Sequence, residues 1–185
     1  GDAAEDVLSV NDLSDYQRFR DALDGKQRIV ILGAGLIGCE FANDLRGAGF
    51  DVDVIDPAAQ PLGRLLPPQA ARFLRAALEA TGVRFHFGTT AQSVARAASG
   101  VAVALADGTT IETELVLSAI GLRPRVDLAR ATGLTVNRGI VTDAFLQSSA
   151  KDVYALGDCA EIAGFNLPFV MPIMQAARAL AKTLH

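Results

Sequence analysis

The fold is decided by one stretch of sequence, Arg28-Ile29-Val30-Ile31-Leu32-Gly33-Ala34-Gly35-Leu36-Ile37-Gly38. Its first half is a short β-branched run without polar alternation, which is typical of a parallel strand buried on both faces. Its second half has the spacing G-x-G-x-x-G and leads into a helical pattern from about Leu36 to Arg46. The stretch therefore predicts a strand, a tight turn and a helix within a parallel sheet.

The flanking sequence extends this unit to a β-α-β-α-β order. We expect helices over 12–23 and 69–81, and strands over 50–56 and 83–87. Closely spaced strands then follow over 93–97, 101–106 and 109–112, the last two joined by an Asp107-Gly108 turn, before an apolar strand over 115–120 re-enters the sheet. The pattern predicts an α/β protein with a parallel sheet and helices.

From Arg123 onward the pattern changes. We expect a short helix over 128–132, a strand at 140–141, an apolar strand ending in Val153-Tyr154-Ala155-Leu156, and a last helix that begins near Pro172. These pieces are predicted to lack a sheet of their own. Asp158 would follow the end of the 153–156 strand, at the edge where open α/β sheets bind ligands.

The glycine motif predicts a nucleotide site. Gly33 permits a tight turn, Gly35 lets the backbone approach a pyrophosphate, and Gly38 lets the helix pack closely on the strand. Free N–H groups at the start of the helix, at Leu36 and Ile37, favour anionic phosphates. Glycine-rich turns of this kind also occur in α/β proteins without a nucleotide, which is the structural alternative.

The choice of nucleotide depends on Asp56, at the end of the second strand of the unit. A carboxylate there can accept hydrogen bonds from a ribose 2′-hydroxyl and repels a 2′-phosphate. This predicts NAD rather than NADP. Arg64 is the nearest downstream cation that could meet a 2′-phosphate instead.

Composition and charge exclude several other classes of protein. Seventeen Lys and Arg against 21 Asp and Glu give a net charge of −4, without the basic clustering that nucleic acid requires. The longest uncharged run, 162–177, is interrupted by Pro168 and Pro172 and predicts no membrane span. The N-terminus has no secretion signal, and Cys39 and Cys159 lie far apart without a metal or redox motif, so a cytoplasmic location is expected.

Three segments in order resemble the flavin-dependent pyridine nucleotide-disulfide oxidoreductase superfamily. They are Gly33-x-Gly35-x-x-Gly38-x-Glu40, Ser118-Ala119-Ile120-Gly121-Leu122-Arg123-Pro124 and Tyr154-Ala155-Leu156-Gly157-Asp158. Within that superfamily the tail over 167–182 is similar to the rubredoxin reductases. The resemblance implies a Rossmann-like FAD/NAD(P)-binding fold with a β-meander insertion, an NADH-binding domain over 10–121, and part of an FAD-binding domain over 1–9 and 122–185.

The resemblance also implies a function and further site residues. NADH would pass a hydride to FAD, and electrons would go to rubredoxin or a similar small iron–sulfur carrier. Gly121 would border NAD, while Gly157, Asp158 and Met171 would border FAD. Glu40 would orient the nicotinamide as a catalytic residue, or it is simply an acid in the first turn of its helix.

The chain departs from the superfamily in having one G-x-G-x-x-G motif, where these enzymes carry a second one for FAD. We therefore expect an excised piece of a larger reductase that does not retain FAD. Alternatives within the superfamily are an NADH-dependent ferredoxin reductase, nitrite reductase or NADH oxidase. A non-catalytic NAD-sensing module is the alternative from another class.

Overall fold

The computed structural model describes residues 1–184, which divide into two units. The first unit is Gly1–Leu122, and the second begins at Arg123. The division falls next to the predicted boundary after residue 121. Residues 1–9 pack within the first unit, and their assignment to an FAD-binding domain stays a prediction. In the first unit, Ala3 is completely buried and Leu8 pairs in parallel with Leu117.

The first unit is built on a five-stranded sheet with the helices that follow its strands. Its elements are a short 3-10 helix (Ala4–Asp6), β1 (Leu8–Ser9), α1 (Leu13–Ala22), β2 (Arg28–Leu32), α2 (Leu36–Gly47), β3 (Asp51–Asp56), α3 (Pro68–Ala80), β4 (Arg84–Phe87), β5 (Ala91–Ala97), β6 (Gly100–Leu105), β7 (Thr110–Thr113) and β8 (Leu115–Ser118). The sheet has the strand order β1-β8-β2-β3-β4, and every pair in it is parallel. The predicted α/β fold with a parallel sheet is confirmed.

The two faces of this sheet are covered by different layers. Because side chains alternate along a strand, Ile29 and Ile31 of β2 face one way and Val30 faces the other. The first face packs with residues of α1, α2 and α3, among them Phe19 and Leu45. The second face packs against the antiparallel meander of β5, β6 and β7. The sheet is therefore buried on both faces, as the β-branched runs predicted.

The strand order places a topological switch point beside the glycine motif. From β2 the chain crosses through α2 to β3 on one side, whereas β8 lies on the other side of β2 and is entered from the meander. The loops after β2 and β8 thus leave the same carboxyl edge of the sheet in different directions. Such a point of reversal is where open α/β sheets bind ligands.

The second unit has a small sheet, which the sequence did not predict. It contains α4 (Asp127–Ala131), β9 (Ile140–Thr142), β10 (Ala160–Ile162) and α5 (Val170–Thr183), and β9 and β10 pair in parallel. The predicted strand ending at Leu156 is wrong. Tyr154 makes one isolated bridge to Gln147, because the chain turns at Asp152, whose φ is +62°, and again at Gly157.

Candidate nucleotide-binding site

Gly33 and Gly38 are required by close backbone packing. Gly33 has a φ of +105°, and a Cβ on it would lie 2.7 Å from the carbonyl oxygen of Ala119, just after β8. A Cβ on Gly38 would overlap the carbonyl oxygen of Gly33. Because they lack a Cβ, the first and last glycines of the motif allow α2, the loop and the neighbouring strand to pack closely, as expected for such glycines.

Gly35 has a different environment, because it is exposed and a Cβ placed there would meet nothing within 4 Å. It is the N-cap residue of α2, and no side chain caps that helix end. Leu36 and Ile37 follow in the first turn, where helical N–H groups have no partner within the helix. The loop thus leaves open space beside backbone donors and the positive end of a helix, which suits an anionic phosphate.

Asp56 ends β3 beside this loop, and its carboxylate already holds two backbone groups. Oδ2 accepts a hydrogen bond from the Ala34 N–H at 2.6 Å, and Oδ1 accepts one from the Ala58 N–H at 2.7 Å. An ionised carboxylate has about four lone-pair sites, so a ribose hydroxyl can still donate to it. Asp56 therefore fits the predicted ribose contact and also fixes the loop.

The segment after β8 lies beside the glycine loop on the other side of the switch point. Ala119 donates its N–H to the carbonyl of Leu32 at 2.8 Å, which holds this segment beside the end of β2. Gly121 follows as an exposed residue with open space around it. The structure thus brings Gly121 to the same edge of the sheet as Gly33, Gly35 and Asp56.

Glu40 lies on α2 and is exposed. It is the fifth residue of the helix, and the first turn contains no acidic residue. The alternative role of Glu40 as a first-turn acid is therefore wrong, because the helix begins at Leu36 and Glu40 lies beyond the turn whose N–H groups are free. Its role as a nicotinamide-orienting residue stays a prediction.

Gly157, Asp158 and Met171 all belong to the second unit. Gly157 has a φ of +88°, and Asp158 is exposed, without a side-chain hydrogen bond or ion pair to any residue in 1–184. The expectation that Asp158 follows a strand is wrong, since it precedes β10 instead. Met171 is the second residue of α5, is 65% exposed, and lies at a helix end that no side chain caps.

Two features of β3 and the loop that follows it were missed by sequence reasoning. Leu62, in the loop after β3, donates its N–H to the carbonyl of Ala34 at 2.8 Å. Asp53, inside β3, is bound by Arg84 and His86 of the neighbouring strand. The only available signal for Asp53 was an acid within an apolar strand, and nothing local marked Leu62.

Cys39 carries no reactive signature. Cys39 is buried below the loop, with its Sγ 3.5 Å from the carbonyl oxygen of Ala34. Burial raises the pKa of the Cys39 thiol to about 11, with the charges of Asp56 and Glu40 adding to the effect. The thiol is therefore protonated at neutral pH. Among residues 1–184 no cluster of His, Cys, Asp or Glu could hold a metal ion, and no helix is long and apolar enough to cross a membrane.

The fold defines a Rossmann-like α/β unit, and comparison with known proteins assigns it to a family. The model of the pyridine nucleotide-disulphide oxidoreductase family matches residues 1–182. The chain belongs to this family. This confirms the resemblance found in the sequence motifs.

Known relatives and solved structures are similar to the chain over nearly all its residues. A rubredoxin-NAD(+) reductase of Alcanivorax borkumensis is 54% identical over 100% of the chain and 48% of its own length. A nitric oxide reductase FlRd-NAD(+) reductase of Aeromonas salmonicida is 44% identical over 98% and 47%. The crystal structure of a ferredoxin reductase for the CYP199A2 system from Rhodopseudomonas palustris has a TM-score of 0.89, with 32% identity over 98% and 47%. The chain therefore spans about half the length of the relatives that it matches.

Proposed function

We propose that the first unit binds NADH and that the chain is the NADH-binding part of a flavoprotein reductase that delivers electrons to rubredoxin. The observation that carries this proposal is the open space at Gly35 beside the uncapped N-terminus of α2. It lies where the strand order reverses between β2 and β8. That combination of open backbone donors and position is the one used for a dinucleotide pyrophosphate.

Each residue of the candidate site then has a distinct task. Leu36 and Ile37 donate backbone N–H groups to the pyrophosphate, and Gly35 lets it approach. Asp56 accepts from the adenosine ribose and disfavours a 2′-phosphate, while Gly121 leaves room beside the bound chain of the nucleotide. Glu40, on the exposed side of α2, orients the nicotinamide.

The second unit supplies residues suited to a flavin. Gly157 and Asp158 would hold the ribityl or phosphate region, because the exposed carboxylate of Asp158 accepts hydrogen bonds and Gly157 keeps the approach open. The uncapped N-terminus of α5 at Met171 would favour negative charge at the isoalloxazine edge. Bound FAD would accept the hydride and pass its two electrons on one at a time. Retention of FAD by the 185-residue chain alone is not expected.

The electron acceptor is inferred from the names of the relatives. The relatives at 54% and 44% identity are named as reductases that couple NAD(+) to rubredoxin or to FlRd, and a ferredoxin reductase shares the fold at 32%. The complete reductase that contains this chain is the material for the test. NADH should reduce its FAD and then rubredoxin faster than a [2Fe–2S] ferredoxin, nitrite or oxygen; the opposite order would reject rubredoxin as the acceptor.

Nucleotide binding is tested on the 185-residue chain by calorimetric titration with NADH and NADPH. We expect NADH to bind, and NADPH to bind at least about tenfold more weakly, since a difference of 1.4 kcal/mol is tenfold in affinity and the 2′-phosphate would meet the Asp56 carboxylate. No heat of binding with either nucleotide at about 1 mM, a concentration that detects even weak sites, would reject the nucleotide site. Equal affinities would reject the role of Asp56 in selection.

A further inference from the structure

Ala34, between the first two glycines of the motif, is held at both its backbone N–H and its backbone carbonyl. Its N–H donates to Asp56 Oδ2 at 2.6 Å, and its carbonyl accepts from the Leu62 N–H at 2.8 Å. Ala34 itself is 2% exposed. Both partners come from the end of β3 or the loop after it, so this loop and not only α2 determines how the glycine loop is oriented.

Leu62 is fixed in the conformation that this contact requires. Its φ is +52°, in the left-handed region that residues other than glycine and asparagine rarely adopt. The preceding Pro61 is fully buried, and the Leu62 side chain packs against the core formed by α1, α2, α3 and the sheet. The carbonyl of Leu62 accepts from the N–H groups of Leu65 and Leu66 at 2.8 and 2.9 Å. The loop is thus held by its own hydrogen bonds and buried residues, and the Leu62 N–H is directed at Ala34.

We propose that Leu62 is a positioning residue for nucleotide binding, and that it acts through its left-handed backbone. In that conformation its N–H holds the Ala34 carbonyl and so aims Gly35 and the start of α2 at the pyrophosphate of NADH. This inference rests on the proposed function, because it assigns how that same site is kept in its binding geometry. Leu62 touches no substrate; its effect passes through Ala34.

The hydrogen bonds to Ala34 can affect nucleotide binding because Ala34 lies only a few residues before the N–H groups proposed to bind the phosphate. Gly35 follows Ala34 directly, and Leu36 begins α2. The Ala34 carbonyl and the Gly35 N–H belong to the same peptide group, so a rotation of that group shifts Gly35 and the adjoining donors Leu36 and Ile37 away from the phosphate. Asp56 holds the Gly33–Ala34 peptide through the Ala34 N–H, and Leu62 holds the next peptide, Ala34–Gly35, through the Ala34 carbonyl.

Two substitutions separate this backbone role from simple packing. Leu62→Gly keeps the N–H and adopts a positive φ freely, but loses the whole side chain. Leu62→Val keeps most of the apolar volume, but a β-branched residue strongly disfavours a positive φ. A packing role makes the glycine variant the worse one, whereas the positioning role makes the valine variant the worse one.

The measurement is the dissociation constant of NADH on the 185-residue chain, with urea unfolding recorded for each variant. We expect Leu62→Val to weaken binding roughly tenfold, the equivalent of 1.4 kcal/mol, while Leu62→Gly stays within about threefold of the unmodified chain although it unfolds at lower urea. If Leu62→Val does not fold, Leu62→Ala replaces it, and it should bind NADH more weakly than Leu62→Gly because alanine also resists a positive φ.

The outcomes separate the two proposals. If the unmodified chain binds NADH and the valine or alanine variant binds as well as the glycine variant or better, the positioning role of Leu62 is rejected and the nucleotide site stands. If the unmodified chain binds no NADH, the proposed function is rejected, and the role of Leu62 falls with it.

Discussion

The three glycines of the loop after β2 have different surroundings, although the motif specifies the same residue at each position. Gly33 and Gly38 are crowded by backbone atoms of the protein itself, whereas Gly35 faces open space. A side chain at Gly33 or Gly38 would disturb the fold. A side chain at Gly35 would disturb only what binds there.

Gly35→Ala is therefore expected to leave folding intact and to weaken NADH binding. Gly35 has no positive φ, so alanine fits the backbone, but its methyl group occupies the space of the pyrophosphate. We expect roughly tenfold weaker binding, about 1.4 kcal/mol, with no loss of stability in urea.

Gly47→Ala is the matched control for this substitution. Gly47 is the last residue of α2, also has no atom within 4 Å of an added Cβ, and lies at the opposite end of the helix. It should bind NADH like the unmodified chain and gain up to about 1 kcal/mol of stability from helix propensity. Equal NADH affinities for the two variants would contradict the assignment of the site to the N-terminus of α2.

At the scale of elements, β3 and the edge strand β4 are joined by a polar link as well as by the sheet. Arg84 donates from Nε and Nη2 to the two oxygens of Asp53 at 3.0 and 2.7 Å, and His86 Nε2 lies 2.8 Å from Oδ1. Burial raises the pKa of Asp53, but the hydrogen bonds from Arg84 and His86 outweigh it, and the pKa lies below its ordinary value. The carboxylate is thus stabilised in its charged form.

Asp53→Asn should lower the free energy of unfolding by roughly 1.5–3 kcal/mol at neutral pH, the range for hydrogen bonds to charged groups. Because the folded pKa is lowered, this contribution is present above the unfolded pKa of about 3.9 and is lost as pH falls through the folded value. Urea unfolding from pH 7 to pH 3 should therefore show the difference between the two proteins shrinking in acid.

Asp51→Asn is the control on the same strand. Asp51 pairs with Arg46 at 3.0 Å, but its side chain is 48% exposed, and such surface pairs contribute little. It should change stability less than Asp53→Asn at neutral pH. A difference for Asp53→Asn that does not depend on pH would show that the side chain acts through packing rather than charge.

In the second unit, Glu161 of β10 supports the turn that leads into β9. Its carboxylate accepts from Asn137 Nδ2 and from the backbone N–H groups of Arg138 and Gly139, at 2.9 to 3.0 Å. The Gly139 N–H is the main cause of a pKa below the ordinary value for Glu161, with Asn137 adding to it. This short parallel sheet depends on contacts between distant residues, which explains why local pattern did not predict it.

At the scale of the whole molecule, the two units differ in how much core they contain. Both clusters of buried apolar side chains lie in the first unit, between Ala3 and Ala119. The second unit exposes many large apolar side chains, namely Leu128, Phe145, Val153, Phe165, Leu167, Phe169, Val170, Met171, Met174 and Leu184. Hydrophobic burial therefore stabilises the first unit far more than the second.

Residues 1–122 expressed alone should fold cooperatively and bind NADH within about threefold of the 185-residue chain, less than 1 kcal/mol. Residues 123–185 expressed alone should not give a cooperative transition in urea. Circular dichroism and calorimetry would measure both. A first unit that stays unfolded alone, or a second unit that unfolds cooperatively alone, would contradict this distribution of core residues.

The sequence by itself determined the parallel α/β unit, the order of its elements and the glycine loop. The elements follow from the hydrophobic period. The glycine loop follows from the spacing of its glycines between a predicted strand and a predicted helix. Alternation along a strand is another local rule, and in β4 it puts Phe85 and Phe87 on one side and His86 on the other.

Tertiary structure alone decided which distant groups meet. Pairing joined β1 to β8 and β9 to β10, packing brought Ala119 against Gly33, and the loop after β3 returned Leu62 to Ala34. Each of these contacts joins residues that are far apart in sequence, and its free energy depends on burial and geometry that no local pattern records. The candidate site could therefore be proposed from the motif, whereas the contacts that hold it in place could not.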